Sequence, residues 1–445
     1  MTKCIFYLAI VSLAPFYASA GFANPSDSTR NLFSDTSLTT FHFQLTTITQ
    51  AHGAFRATYS GLNSLNPQPE GATSVTSTLF AGIHLWYGAS VYFNPELAGG
   101  QGLSGVTGIA GFTNGETPRV GSPSPVITIA RGYFQQTFAL SNRGNEHLAD
   151  GLNQLAMDMP RNRLTITIGK FALSDFFDNN SYSHDPRTQF QNWALMENGS
   201  WDYPANTRGY TYAATIEAKI GDWSARASTA AEPTEANGPT LEYRNGAHGE
   251  TIELEHRHNL IGDSGVVRLL LFNNTADMGN YDLAVSNPSF DTDVTKTRQY
   301  GRDKYGIGLN AEQALSPNIG AFLRAGWSDG RNETWAFTEI DRTASLGFSF
   351  NGALWKREKD VAGIAGVING LSGDHRRYLA GGGYGFIIGD GALHYAPESI
   401  VEVYYLIALT DVFALTADYQ FVANPAYNAD RGPVNIIGVR AHVEI

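Results

Sequence analysis

The sequence predicts an all-β fold, a transmembrane antiparallel β-barrel of about sixteen strands with long loops folded into the lumen. Three observations point there. Short segments alternate apolar and polar residues along most of the chain, as strands with one greasy and one wet face do. The composition is lean in charge, with 16% charged and 12% aromatic residues and 47 glycines in 445 residues, against roughly 25% charged in an ordinary soluble domain. The polar faces repeatedly carry Arg, Glu and Lys, which need water if the sheet closes on itself. A soluble sandwich also alternates, but its inward face is the apolar one. A mean hydropathy of -0.20 excludes a bundle of membrane-spanning helices. The net charge of -12 repels phosphate backbones and argues against a nucleic-acid partner.

The N-terminus carries Lys3, an apolar stretch from Ile5 to Leu13, and small residues at Ala18 and Ala20 before Gly21. This predicts a signal peptide over 1–20, with cleavage after Ala20 or Ala23. The apolar stretch is too short to span a bilayer. Cys4 is the only cysteine, so the mature chain is expected to hold no disulfide and no thiolate metal site. Exported, free of cysteine and strand-rich, the protein is expected in the outer membrane of a Gram-negative bacterium. Residues 21–445 show no linker, charge block or repeat and read as a single barrel domain.

A polar lead over 21–40 gives way to a first strand in which Phe41, Phe43 and Leu45 alternate with His42, Gln44 and Thr46. A Gly/Pro/Asn-rich loop follows, then Leu79, Ala81, Ile83 and Leu85 on one face of a second strand. A tight turn at Tyr87 to Ala89 leads to Val91 and Phe93. From Asn94 to Pro125 the chain is glycine-rich and irregular, either a surface loop or a second loop folded inward. RLTITIGKF alternates most cleanly, with Leu164, Ile166 and Ile168 opposing Arg163, Thr165 and Thr167. From Lys170 to Tyr210 the alternation stops for roughly forty residues, far beyond an ordinary loop. It then returns at Ile252 and Leu254, at Val267, Leu269 and Leu271, at Tyr305, Ile307 and Leu309, at Leu323 and Trp327, and at Leu346, Phe348 and Phe350. SIVEVYYLIALTD, FALTADYQFVAN and VNIIGVRAHVEI complete the set, and short turns such as Gly221-Asp222 and Gly262-Asp263 suit an up-and-down meander.

The interrupting stretch, GKFALSDFFDNNSYSHDPRTQFQNWALMENGSWDYPANTRGYTY, resembles carbohydrate-selective outer-membrane porins of the OprB type. The likeness runs on through VYFNPELAGGQGLSGVTGIAGFTNGE, EPTEANG, WSDGRNETWAFTEIDR, NGLSGDHRRYLAGGG and YQFVANPAYNADRGPV, nearly the whole mature chain. The resemblance implies an outer-membrane barrel that passes mono- and small oligosaccharides passively, lies in outer-membrane lipid, forms a homo-oligomer, up to a trimer, and uses no cofactor. The chain departs from such barrels at its end, Glu444-Ile445, where an aromatic residue is usual.

Neutral sugars offer hydroxyls to charged groups and apolar ring faces to aromatic ones. The stretch supplies both: Asp175, Asp178, Asp185, Arg187, Asp202 and Arg208, with Phe176, Phe177, Trp193, Trp201 and Tyr203. It is therefore expected to fold into the lumen and form part of a constriction, completed by Arg163, Arg268 and Arg324 from the wall. The alternative for each is a shape-holding ion pair or an ordinary lumen charge. A general diffusion porin is the second reading, and an outer-membrane hydrolase the third. Glu232, Glu235 and Asp341 lack a readable separation for glycosidase work, and His184-Asp185 has no G-x-S-x-G partner. Asp175, Asp178 and Asn180 do not match a calcium loop. The glycines of GDHRRYLAGGGYGF are expected to let strands pack or bend. No catalytic residue or metal is expected.

Overall fold

The computed structural model describes residues 37–117, 124–141, 144–242, 246–260 and 263–445. The signal peptide, Cys4, most of the polar lead and Gly262 of the expected Gly262-Asp263 turn lie outside them. The strands are β1 (Thr39–His52), β2 (Glu70–Trp86), β3 (Ala89–Gly100), β4 (Val126–Ala139), β5 (Asn145–Leu148), β6 (Met157–Pro160), β7 (Arg163–Phe171), β8 (Thr211–Ile220) and β9 (Trp223–Ala231). They continue as β10 (His248–Leu260), β11 (Asp263–Met278), β12 (Gln299–Ser316), β13 (Ile319–Ser328), β14 (Arg342–Asn351), β15 (Val361–Gly370), β16 (Glu398–Ala408), β17 (Phe413–Ala423) and β18 (Val434–Glu444).

Sixteen of these, all but β5 and β6, close an antiparallel barrel in chain order, with β4 beside β7 and β18 beside β1. Closure leaves the barrel itself no free edge. The seam runs from Gln44 opposite Glu444 to His52 opposite Ile436. Phe43 and Ile445 exchange backbone bonds of 2.9 and 3.0 Å, so the non-aromatic last residue still completes the ladder.

Alternation sorts the side chains. On β1, Gln44, Thr46 and Gln50 are buried inside while Phe41, Phe43 and Leu45 face out. The outer surface shows Ile83, Ile216, Leu254, Leu269, Ile307, Val401 and Ile437, the apolar band a bilayer covers. Short turns such as Tyr87-Gly88 and Gly221-Asp222 gather at the end that holds the first and last strand termini, and long connections gather at the other. In barrels of this class short turns face the periplasm.

Three segments differ from the sequence expectation. Asn94 to Gly100 extends β3, because Asn94 and Glu96 point inward and the ladder absorbs Pro95, which has no N–H to give, in a register shift between Asn94 and Pro95. The stretch GDHRRYLA is a helix, Gly373–Ala380, capped by Ser372, whose side chain accepts from the His375 N–H. Between β4 and β7, at the short-turn end, the chain inserts the hairpin of β5 and β6, whose four-residue strands are too short to show alternation.

Residues 172–210 turn into the lumen, and the wall binds them by their backbone. Inward carboxylates accept from N–H groups: Glu253 from Asp178, Glu312 from Ser181, and Glu402 from Gln191 and Asn192. Inward guanidinium groups donate to carbonyls: Arg324 to Leu195, Ser183 and Asp178, and Arg440 to Pro186 and Gln189. Irregular backbone cannot satisfy itself when buried, and charged partners give it the stronger bonds. The β3–β4 connection is bound likewise, with Ala110 and Gly111 donating to Glu398.

Candidate functional site

Between this inserted segment and the walls of β1 to β4 and β7 lies a cavity of about 640 Å³. Its charged side is built around Glu96. Arg187 donates from Nη2 to Glu96 at 3.1 Å, from Nε to Glu116 at 2.8 Å and from Nη1 to Gln44 at 2.6 Å. Tyr210 donates its hydroxyl to Glu96 at 3.0 Å, and Thr78 does so at 2.8 Å. Beside them Arg131 forks onto Asp175 at 2.6 and 2.7 Å and lies 5.3 Å over the Tyr210 ring. Arg208 lines the same space, and its guanidinium makes no ion pair among the described residues.

The opposite side is aromatic. Phe112 and Phe337 flank Trp193 in stacked pairs with centroids 5.1 and 5.3 Å apart, and Tyr203 stacks on Phe337 at 5.2 Å. Trp193 is held because Asn192 caps the one-turn helix Trp193–Met196 and donates its own N–H to Glu402. The Trp193 indole N–H has no hydrogen-bond partner among the described residues. Leu148, Leu155, Met157 and Met159 of the β5–β6 hairpin close the side toward the short turns.

Burial sets the charge states here. Desolvation raises the Glu116 carboxyl, against the pull of Arg187 and with the push of Glu96. Burial also lowers Arg187, but Glu116 and Glu96 more than offset this and keep it firmly charged. Burial, then the adjacent Asp178, push the Glu197 carboxyl well above the usual carboxylate range. Burial, with Arg324 nearby, holds His184 below its usual range.

The fourteen residues singled out in the sequence separate into three groups, with Phe176 among those that line the cavity and Phe177 among those buried away from it. Asp175, Asp185, Arg187, Trp193, Tyr203, Arg208 and Arg163 line the cavity. Asp178, Trp201, Asp202 and Arg324 are buried and do not line it. Arg324 stands 3.0 Å from Asp178, Trp201 packs on Phe177 and Tyr203, and the Asp202 carboxylate accepts from the N–H groups of Trp335, Ala336 and Phe337. Arg268 lines a separate cleft of about 560 Å³ with Arg257 and Glu312; Asn179 borders both spaces. Asp175 and Asp178 turn to different guanidinium groups and do not converge on one point. Glu232 and Asp341 are fully buried among the long connections, Asp341 against His375 at 3.1 Å.

Glu96, Glu116, Arg131 and Tyr210 escaped sequence reasoning. Glu96 and Glu116 lie in the glycine-rich stretch, where only the Asn94–Glu96 alternation signalled an inward face. Tyr210 stood at the edge of the stretch and was passed over for its tryptophans.

The sequence profile of the family described as carbohydrate-selective porin, OprB family, matches residues 64–445. No curated protein matches. Among solved structures, the high-pH structure of Pseudomonas putida OprB is 15% identical, covering 92% of this chain and 94% of that one, with a TM-score of 0.69. The outer membrane channel DcaP of Acinetobacter baumannii is 9% identical over 92% of this chain and 97% of that one, with a TM-score of 0.48.

Proposed function

This chain belongs to the carbohydrate-selective porins of the OprB family, and from that membership we propose that the cavity beneath residues 172–210 is where the sugar crosses. The protein is an outer-membrane channel for sugars. The observation that supports this site is that Arg208, whose guanidinium makes no ion pair among the described residues, and the Arg187–Glu96–Arg131 cluster face the Trp193–Phe337–Tyr203 stack across one space. Arg208 donates to ring hydroxyls, the carboxylates accept from them, and the aromatic side shelters the apolar ring face. Binding of this kind replaces hydration yet stays weak enough for release. Passage is passive, without cofactor or reaction. Export through the periplasm and assembly as a homo-oligomer belong to the same proposal and rest on family membership, and the mass of the detergent-solubilised protein is the measurement that checks the assembly.

The test is the ion current through single channels as glucose is added. A sugar seated in the cavity blocks ions, and one hydrogen bond from a charged donor contributes on the order of 1.5 kcal/mol. Arg208→Ala is therefore expected to raise the half-blocking glucose concentration by about tenfold while leaving an open channel. An unchanged half-blocking concentration would place the sugar elsewhere.

A further inference from the structure

We propose that the β5–β6 hairpin is a second constriction, on the periplasmic side, that sets the largest sugar the channel passes. This rests on the reading that sugar crosses the cavity above it. The hairpin stands at the end where neighbouring strands are joined by turns as short as Gly221-Asp222, so length at this place is not needed for connection. It turns inward. Leu155 is fully buried, and Met157 and Met159 nearly so, within the same apolar cluster as Tyr92 and Tyr133 of the wall. Leu148, Leu155, Met157 and Met159 form the floor facing Arg187 and Asp175.

Its two flanks are pinned to strands far apart on the barrel. Glu146 accepts from Lys219 of β8 at 2.7 Å and from Arg163 of β7. Asp150, past the end of β5, stands 3.2 Å from the inward-facing His42 of β1. Between β8 and β1 lie β7, β4, β3 and β2, so the hairpin crosses the lumen as a chord beneath six adjacent strands. A solute leaving the charged and aromatic walls meets a mainly apolar floor, in which Leu148, Leu152, Leu155, Met157 and Met159 outnumber the polar Asn153 and Gln154. A single ring can slip past its edge, whereas a longer chain must displace unbranched methionines, which yield by changing rotamer but only so far.

Two variants test this in liposomes and in planar bilayers. In one, residues 141–161 are replaced by Asn-Gly, joining Leu140 to Asn162, whose backbones are already bonded at 2.9 Å. In the other, Met157→Ala and Met159→Ala lower the floor and keep the hairpin. The expected result is a severalfold rise in the rate of maltotriose entry relative to glucose, and a higher ion conductance, in both. An unchanged maltotriose-to-glucose ratio and unchanged conductance in the shortened barrel, or in the double-alanine protein if the shortened one does not fold, would overturn the proposal. Conductance reports on the floor whatever the solute, so a wild-type protein that passes no sugar would overturn the channel's proposed sugar path and leave the constriction to be judged by conductance.

Discussion

Arg187 holds Glu116, Glu96 and Gln44 at once, and Glu116 is the partner whose charge is set to change under mild acid. Burial raises its carboxyl above the ordinary 4.5, so it keeps its proton up to a higher pH than a free carboxyl does. On acidification from neutral, Glu116 is therefore discharged before an exposed glutamate, and Arg187 loses that ion pair as the pH falls through the raised value. Glucose permeation and conductance are expected to step at a pH above 4.5, and Glu116→Gln to remove the step by fixing the acid form. The same pH profile in both proteins would contradict this. At this scale the sequence was partly legible. Charged and aromatic residues of the long stretch stood out by composition, and Arg187 and Arg208 were among them. Which of those residues line the cavity depended on backbone direction inside the lumen. Asp178 adopts φ 53°, and that left-handed residue sends its side chain to Arg324 instead of into the cavity.

Elements were read unevenly, for a physical reason. Wall strands announce themselves because every second side chain meets lipid, and Leu164, Ile166 and Ile168 needed nothing else. The inserted segment leaves no such period, since it is bound through its own N–H and C=O groups to wall side chains such as Glu402, Arg440 and Arg324. Backbone contacts of that sort carry no side-chain pattern. The helix Gly373–Ala380 was missed because its neighbouring glycines outweighed the Ser372 cap. The anchoring can be tested at Arg324, which is almost wholly buried and reaches three carbonyls and Asp178. Arg324→Ala leaves Asp178 buried without its cation, a loss of about 3–5 kcal/mol, expected as a lowered unfolding midpoint. The freed segment is expected to become open to trypsin after Arg187 and Arg208, whereas the wild-type segment resists. Equal resistance in both would show that Arg324 is not an anchor.

At the scale of the whole molecule, the barrel supplies a closed wall and the connections fill its lumen and line the cavity. Closure, strand number and the direction of each face followed from alternation and composition. The cavity did not, because it forms where three segments distant in sequence meet: Glu96 and Glu116 from the β3 side, Arg187 and Trp193 from the long insertion, and Met157 and Met159 from the hairpin below. A general diffusion pore would need only the wall. On the proposed reading, the charged and aromatic sides facing each other across about 640 Å³ are expected to favour solutes with many hydroxyls and an apolar face. The most direct test is the swelling of liposomes holding the purified protein in isosmotic glucose, maltose and an amino acid of similar size to glucose. Faster swelling in the sugars is the expected result, and equal rates for glucose and the amino acid would contradict selection by this cavity.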